Sequence, residues 1–256
     1  MKYPIGIQDF EKIIKDGYVY VDKTALIYQL ATEGNIYFLS RPRRFGKSLL
    51  VSTLKYYFQG KKELFKGLAI DSLEKEWAEY PVFHIDFNGE NFTEQGILEA
   101  KLEGKIANWE AEYGTSPYHT TLGSRFQYVL QAAHEKTGKR AVVLIDEYDK
   151  PLLDVLDTGL KATLSNNELL LEEHHRNVLK GFYSVFKAAD ADLATTATIY
   201  LGGYVAAIEA AAAPYGIGVE NTAYTPSIYM DKNGKVITAM IDVYREFTGD
   251  MTENGN

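Results

Sequence analysis

Apolar residues along the chain form short runs that alternate with longer stretches of helical spacing. Four runs predict β-strands because they are short and rich in branched or aromatic residues: 18–21, 36–39, 81–87 and 141–145. Helical spacing predicts helices over the stretches 25–31, 47–60, 93–113, 121–137 and 167–189. Strands separated by helices of these lengths are typical of βα units, so the pattern predicts a three-layer α/β fold around a mainly parallel sheet.

Composition and charge narrow the class of protein. The chain has 256 residues, of which 46% are hydrophobic and 24% charged, as in an ordinary soluble domain. Its formal net charge of −8 works against general attraction to nucleic acid phosphates, so binding of nucleic acid is not supported. We find neither a secretory signal nor an apolar run long enough to cross a bilayer, so no membrane contact and a cytoplasmic location are expected.

Two residue types argue against metal sites built from soft ligands. There are no cysteines, which excludes disulfides, thiolate metal sites and a cysteine nucleophile. None of the five histidines has a convincing zinc spacing, and the adjacent His174 and His175 are expected to be structural. Arg176, on the same predicted helix, is interpreted as an exposed residue. The alternative is that its side chain stabilises negative charge at the site of another subunit.

The segment after the strand at 36–39 has the features of a phosphate-binding loop. It reads Arg41-Pro42-Arg43-Arg44-Phe45-Gly46-Lys47-Ser48 and opens the helix predicted at 47–60, which is the context such a loop requires. Gly46 permits close approach to phosphate oxygens, Lys47 reaches the β- and γ-phosphates, and the Ser48 hydroxyl is a ligand for Mg²⁺. The residues predicted to bind the nucleotide are Arg43, Arg44, Phe45, Gly46, Lys47, Ser48 and Leu49.

Two carboxylates follow the strand at 141–145. In an open parallel sheet, the carboxyl ends of the strands line the ligand crevice, so Asp146 and Glu147 are expected near the phosphate loop. We predict that Asp146 holds Mg²⁺ together with Ser48. Glu147 is the predicted general base for the attacking water, and Lys47 is predicted to take part in catalysis through the phosphates.

Each motif also has a structural interpretation. A Gly-Lys-Ser triplet is compatible with an exposed basic helix start, and Arg41 stands where the general motif has its first glycine. Arg43 and Arg44 either neutralise phosphate charge or are solvated loop residues. Asp146 and Glu147 are compatible with an acidic surface turn, but the order and strand context of the two motifs together favour a nucleotide site.

With these motifs, the sequence resembles the AAA-ATPase-like family of bacterial proteins. The matching stretches are 6–10, 20–24, 38–50, 63–68, 144–153 and 182–187, and the resemblance covers about residues 1–190. In that family an arginine in place of the first glycine is normal. The resemblance implies a P-loop NTPase fold with an additional strand and a catalytic glutamate, and it implies ATP and Mg²⁺ as cofactors. Longer members carry a nuclease domain, whose activity is not expected of this chain.

The chain departs from the family after Asp190. Family members continue into a strand that ends in Thr-Gly, whereas residues 193–202 predict a strand without identifying a phosphate sensor. An alanine-rich segment at 206–213 follows, and Asn233-Gly234 between two β-rich runs predicts a hairpin. The expected domains are therefore a P-loop ATPase-like domain at 1–202 and a divergent C-terminal segment with a β-hairpin at 203–256.

Three functions remain open from the sequence. The first is Mg²⁺-dependent hydrolysis of ATP to ADP and phosphate. The second is a nucleotide-dependent binding module or switch with little turnover, and the third is a scaffold that retains the motifs without useful affinity. ATP is the expected ligand in the first two, and a protein partner or a second copy of the chain is left open.

Overall fold

A computed structural model of the chain describes residues 2–33, 36–39, 46–164, 167–189 and 192–201. All of these residues belong to the unit Met1–Val219, whereas the unit Glu220–Asn256 lies outside them. The predicted hairpin, the predicted boundary between residues 202 and 203, and the loop residues Arg43, Arg44 and Phe45 also lie outside the described residues.

Helices and strands alternate along the described chain. The helices are α1 Phe10–Lys15, α2 Thr24–Glu33, α3 Lys47–Phe58, α4 Ala69–Leu73, α5 Ile97–Tyr113, α6 Leu122–Thr137, α7 Lys150–Leu153, α8 Leu171–Tyr183 and α9 Val185–Ala188, with a 3₁₀ turn at Lys62–Phe65. The strands are β1 Ile36–Leu39, β2 Val82–Asp86, β3 Ala141–Asp146, β4 Lys161–Leu164, β5 Asn167–Leu170 and β6 Leu193–Leu201. Within these ranges no helix is both long and apolar enough to span a membrane.

Four of the strands form a parallel sheet in the order β1-β6-β3-β2. The predicted α/β class and parallel sheet are therefore confirmed. The last strand of the described chain, β6, is inserted between β1 and β3, and its residues pair with both neighbours. Because all four strands run in the same direction, their carboxyl ends lie along one edge of the sheet.

Alternate residues of β3 enter two apolar clusters on opposite faces of the sheet. Val143 and Ile145 pack with residues of α5, α6 and α8, where Phe126 stacks on Phe182 with 4.9 Å between ring centroids. Val142 and Leu144 pack with residues of α1, α2, α3 and α4 in the second cluster. All six residues of β3 are buried, because helices cover both faces of the sheet.

The strand predicted at 18–21 is absent from the described structure. These residues have no regular secondary structure, and the backbone N–H of Val19 donates to the carbonyl of Lys2 rather than to a strand of the sheet. Tyr20 packs edge-on against Phe10 of α1, with 5.2 Å between ring centroids. The apolar character of this segment therefore serves packing against a helix, which periodicity alone does not distinguish from strand pairing.

The helix predicted at 167–189 begins late. Residues Asn167–Leu170 form β5, which pairs antiparallel with β4, and α8 starts only at Leu171. Leu169 and Leu171 pack with Val155 and Ala162 in a small separate cluster. The sequence analysis missed this hairpin because a leucine-rich run fits either secondary structure until its partner is known.

Candidate functional site

Register brings the two sequence motifs to the same edge of the sheet. Leu39, the last residue of β1, pairs with Leu201 of β6, and Leu201 pairs in turn with Asp146 of β3. Asp146 also pairs with Asp86, the last residue of β2. The end of β1, after which the phosphate-loop segment follows in the sequence, therefore lies level with Asp146 along the direction of the strands.

The first turn of α3 supplies donors at this edge. Gly46 caps the helix in a left-handed conformation with φ of 73°, which a residue with a side chain rarely adopts. The backbone N–H groups of Lys47, Ser48 and Leu49 have no acceptor within the helix, because they belong to its first turn. The side chain of Leu49 packs against the apolar cluster on this face, so its contribution to a nucleotide site is its backbone N–H.

Ser48 and Asp146 come together across the sheet edge. The Ser48 hydroxyl lies close enough to the Asp146 carboxylate to favour its ionised form. Asp146 is 3% exposed, and its Oδ1 atom is buried without a hydrogen-bond partner among the described residues. Because buried polar atoms are nearly always paired, a carboxylate oxygen of this kind is suited to accept a ligand.

Burial raises the pKa of Asp146 above its usual value. The neighbouring carboxylates of Asp86 and Glu147 raise it further by repulsion, whereas the Ser48 hydroxyl and the backbone N–H of Glu147 favour the ionised form and lower it. A bound cation would therefore stabilise the ionised carboxylate, because its positive charge would offset both the desolvation and the repulsion.

Glu147 follows in a conformation that is unusual for its residue type. Its φ is 52°, in the left-handed region, and its side chain is half-buried. The carbonyl of Glu147 accepts a hydrogen bond of 3.0 Å from the backbone N–H of Lys150, which closes the turn into α7. Non-glycine residues held in this region carry strain and concentrate at functional sites.

Two adjacent histidines of α8 anchor this helix to its neighbours, and one of them contacts α7, directly after the acidic pair. His175 is fully buried, and its Nδ1 donates to the carbonyl of Pro151 at 2.8 Å. Its neighbour His174 contacts the Glu99 carboxylate on α5. Burial lowers the pKa of His175, so the neutral ring is favoured. The predicted structural role of these histidines agrees with these contacts.

One carboxylate at the edge was given no role in the sequence analysis. Asp86 ends an apolar strand just as Asp146 does, and its Oδ1 accepts the backbone N–H of Asn88 at 2.8 Å. The signal was present in the sequence, because a strand of apolar residues ended in an acid in both places. The nearness of Asp86 to Asp146 could not be predicted, because the pairing of β2 with β3 becomes known only with the strand order.

The predicted site residues fall into two groups. The structure brings Gly46, Lys47, Ser48, Leu49, Asp146 and Glu147 to the carboxyl edge of the sheet or to the first turn of α3. Arg43, Arg44 and Phe45 lie outside the described residues. Arg176 is exposed and pairs with Glu172 one turn away, at 2.5 Å, as the structural interpretation predicts.

Comparison with known proteins assigns the chain to a family. A family model described as "Predicted AAA-ATPase" matches residues 4–202. A protein of Azotobacter chroococcum mcd 1, described as "Uncharacterized protein in vnfD 5'region", is 41% identical over 192 residues, which are 74% of this chain and 35% of that protein. No solved structure matches the chain. Because the family model matches most of its length, the chain belongs to the predicted AAA-ATPase family.

Proposed function

We propose that the protein binds ATP with Mg²⁺ at the edge formed by α3 and β3 and hydrolyses it to ADP and phosphate. The observation that carries this proposal is the nearness of the Ser48 hydroxyl to the Asp146 carboxylate, whose Oδ1 atom is buried without a hydrogen-bond partner among the described residues. A hydroxyl and a carboxylate are the oxygen ligands that Mg²⁺ takes from proteins at nucleotide sites. The membership in a predicted ATPase family supports the same function.

The few protein oxygens at this edge fit a cation that is bound together with a nucleotide. Within the described ranges, no group of three or more histidine, cysteine, aspartate or glutamate side chains could hold a metal ion. Mg²⁺ typically takes one or two protein oxygens and completes its shell with phosphate oxygens and water. We therefore propose Ser48 and Asp146 as its protein ligands. When bound, Mg²⁺ would neutralise the charge that develops on the β- and γ-phosphate oxygens.

The chain's own residues would bind and orient the nucleotide. The N–H groups of the first turn of α3, which have no acceptor within the helix, offer fixed positive potential to phosphate oxygens beside the αL residue Gly46. Lys47 would pair with the β- and γ-phosphates. Glu147 would accept a proton from the attacking water, for which its position one residue beyond the metal carboxylate is suited.

The strand order supports the finer assignment to a three-layer P-loop NTPase fold. Helices lie on both faces of the sheet, and β6 separates the strand before the phosphate loop from the strand that ends in Asp146. This separating strand corresponds to the additional strand implied by the family resemblance. We propose residues 1–202 as the ATPase domain and residues 203–256 as a separate segment with a hairpin.

Nucleotide binding is tested with one substitution and a control on the same helix. Lys47→Ala should weaken the affinity for Mg·ATP by about 10- to 100-fold, because a charged hydrogen-bonding group is removed from the phosphates. Lys55→Ala changes the same residue type about 12 Å further along α3 and should leave the affinity unchanged. The measurement is isothermal titration calorimetry with a non-hydrolysable ATP analogue. Equal affinities for wild type and Lys47→Ala would reject the assigned phosphate contact.

Hydrolysis is tested separately through Glu147. Glu147→Gln should lower phosphate release by about 100-fold or more while it spares nucleotide binding, since only the proton acceptor is lost. Glu173→Gln, at an exposed position of α8, is the matched control and should retain full turnover. If the wild type binds Mg·ATP but releases no phosphate, the protein is a nucleotide-dependent switch rather than an ATPase.

A further inference from the structure

Asp86 faces the same side of the sheet as the residues of the proposed metal site. Val82, His84 and Asp86 alternate along β2 with the buried Phe83 and Ile85, which pack on the opposite face. Val82 packs into the cluster that contains residues of α3, so Asp86 also points to the face on which α3 lies. Its register partner is Asp146.

The Asp86 carboxylate is held in place by the backbone. Its Oδ1 accepts the N–H of Asn88 at 2.8 Å, immediately after the end of β2. This contact fixes the side chain and leaves Oδ2 for a second interaction. The neighbouring strand carries the Asp146 carboxylate, whose buried Oδ1 has no hydrogen-bond partner in the described part of the chain. Two carboxylates side by side repel each other, and a cation near them would relieve this repulsion.

We propose that Asp86 is a positioning residue of the nucleotide site and holds the nucleotide-bound Mg²⁺ through water. This inference rests on the proposed function and adds a second carboxylate to it. Mg²⁺ retains several waters in protein sites, and carboxylates that hydrogen-bond this outer shell set both its position and its affinity. Asp146 is the direct ligand because it lies near Ser48, whereas Asp86 lies one strand further out.

An experiment must distinguish the proposed role of Asp86 from a purely structural role. The ammonium of Lys105 on α5 and the ring of His84 both interact electrostatically with Asp86. If Asp86 only balanced these groups, its removal would alter the stability of the fold and leave the response to Mg²⁺ unchanged. The response to Mg²⁺ is therefore the quantity to measure.

The test uses Asp86→Asn in the full chain. Asparagine keeps an oxygen that accepts the N–H of Asn88 and removes only the negative charge. Calorimetric titration of a non-hydrolysable ATP analogue is carried out with and without Mg²⁺. We expect the apparent Mg²⁺ affinity of the protein–analogue complex to fall by about 10- to 100-fold, with Mg²⁺-free binding of the analogue retained or strengthened. Asp71→Asn is the matched control, because Asp71 also accepts a backbone N–H, from Gly67, at an exposed position away from the site.

The outcomes separate this inference from the proposed function. If wild type binds the analogue more tightly with Mg²⁺ and Asp86→Asn responds to Mg²⁺ equally well, the role of Asp86 is refuted and the proposed function stands. A parallel loss of Mg²⁺-dependent and Mg²⁺-free binding in Asp86→Asn also refutes it, since that pattern reports damage to the whole site. If wild type binds no analogue under either condition, the proposed function itself fails.

Discussion

At the scale of single residues, Glu147 combines a strained backbone with the predicted chemistry. Its φ of 52° places it among three non-glycine residues with positive φ in the described chain. A glycine would adopt this conformation without a steric penalty, so a glutamate at this position carries a conformational cost. The strain is thus a cost of about 1 kcal/mol that the surrounding buried turn sustains.

The first prediction concerns this strain. Glu147→Gly should raise the free energy of unfolding by about 1 kcal/mol while it abolishes phosphate release, because the conformational penalty and the carboxylate disappear together. Glu173→Gly makes the same change inside α8, where the backbone is helical, and should lower the free energy of unfolding by about 1 kcal/mol. Urea unfolding of both variants gives the comparison. A loss of stability in Glu147→Gly would show that its side-chain contacts outweigh the strain.

The burial of His84 makes the stability of the folded protein depend on pH. It lies on β2, largely buried, and its Nε2 has no hydrogen-bond partner among the described residues. Burial lowers its pKa from 6.5 to about 4, and the positive charge of Lys55 on α3 contributes to the same direction. The unfolded chain therefore binds a proton between pH 6.5 and about pH 4 that the folded protein does not bind, and stability falls as the pH falls through this window.

The second prediction follows from that direction. His84→Leu should reduce the loss of unfolding free energy between about pH 7 and about pH 4.5 by about 2 kcal/mol, because the buried base that must be protonated is gone. Lys55→Gln should reduce the same loss by a smaller amount, since it removes only the neighbouring charge. Urea unfolding at the two pH values gives both numbers. Parallel pH profiles for wild type and His84→Leu would contradict the assignment.

At the scale of secondary-structure elements, the helices on one face of the sheet differ in how closely they approach one another. Gly104 lies within α5, where an added Cβ would meet no atom within 4 Å. Gly123 lies in the first turn of α6, where an added Cβ would approach the carbonyl oxygen of Gly181 on α8 to 3.1 Å. The same residue type therefore has a helix-weakening effect in α5 and a close-packing role between α6 and α8.

The third prediction compares these two glycines. Gly104→Ala should raise the free energy of unfolding by about 1 kcal/mol through helix propensity alone. Gly123→Ala should gain clearly less, or lose stability, because α6 and α8 must separate by a few tenths of an ångström to admit the methyl group. Thermal and urea unfolding of the two variants provide the test. Equal gains for both would show that the approach of α6 to α8 is looser than the structure indicates.

At the scale of the whole molecule, strand order determines which distant segments become neighbours. The strand before the phosphate loop and the strand before the acidic pair do not pair with each other, because β6 lies between them. Residues 193–201, beyond the part of the chain that carries the clearest family resemblance, therefore complete the sheet. Changes in that segment should affect the proposed nucleotide site through the spacing of β1 and β3.

The sequence by itself determined the parts of the protein that depend on local pattern. Helices α3, α5 and α6 and strands β2 and β3 follow from periodicity and apolar runs, which are properties of neighbouring residues. The two motifs also follow from local order, because a phosphate loop needs its strand, glycine and helix in sequence. The family resemblance then supplied the expectation of ATP.

Only the tertiary structure decided which segments pair and which side chains meet. It turned the apolar run at 18–21 into a packing segment, formed the β4–β5 hairpin within an expected helix, and brought Asp86 beside Asp146. These outcomes depend on contacts between residues far apart in the chain, whose free energy no local pattern contains. Secondary structure could therefore be predicted from neighbours along the chain, whereas the composition of the site depended on neighbours in space.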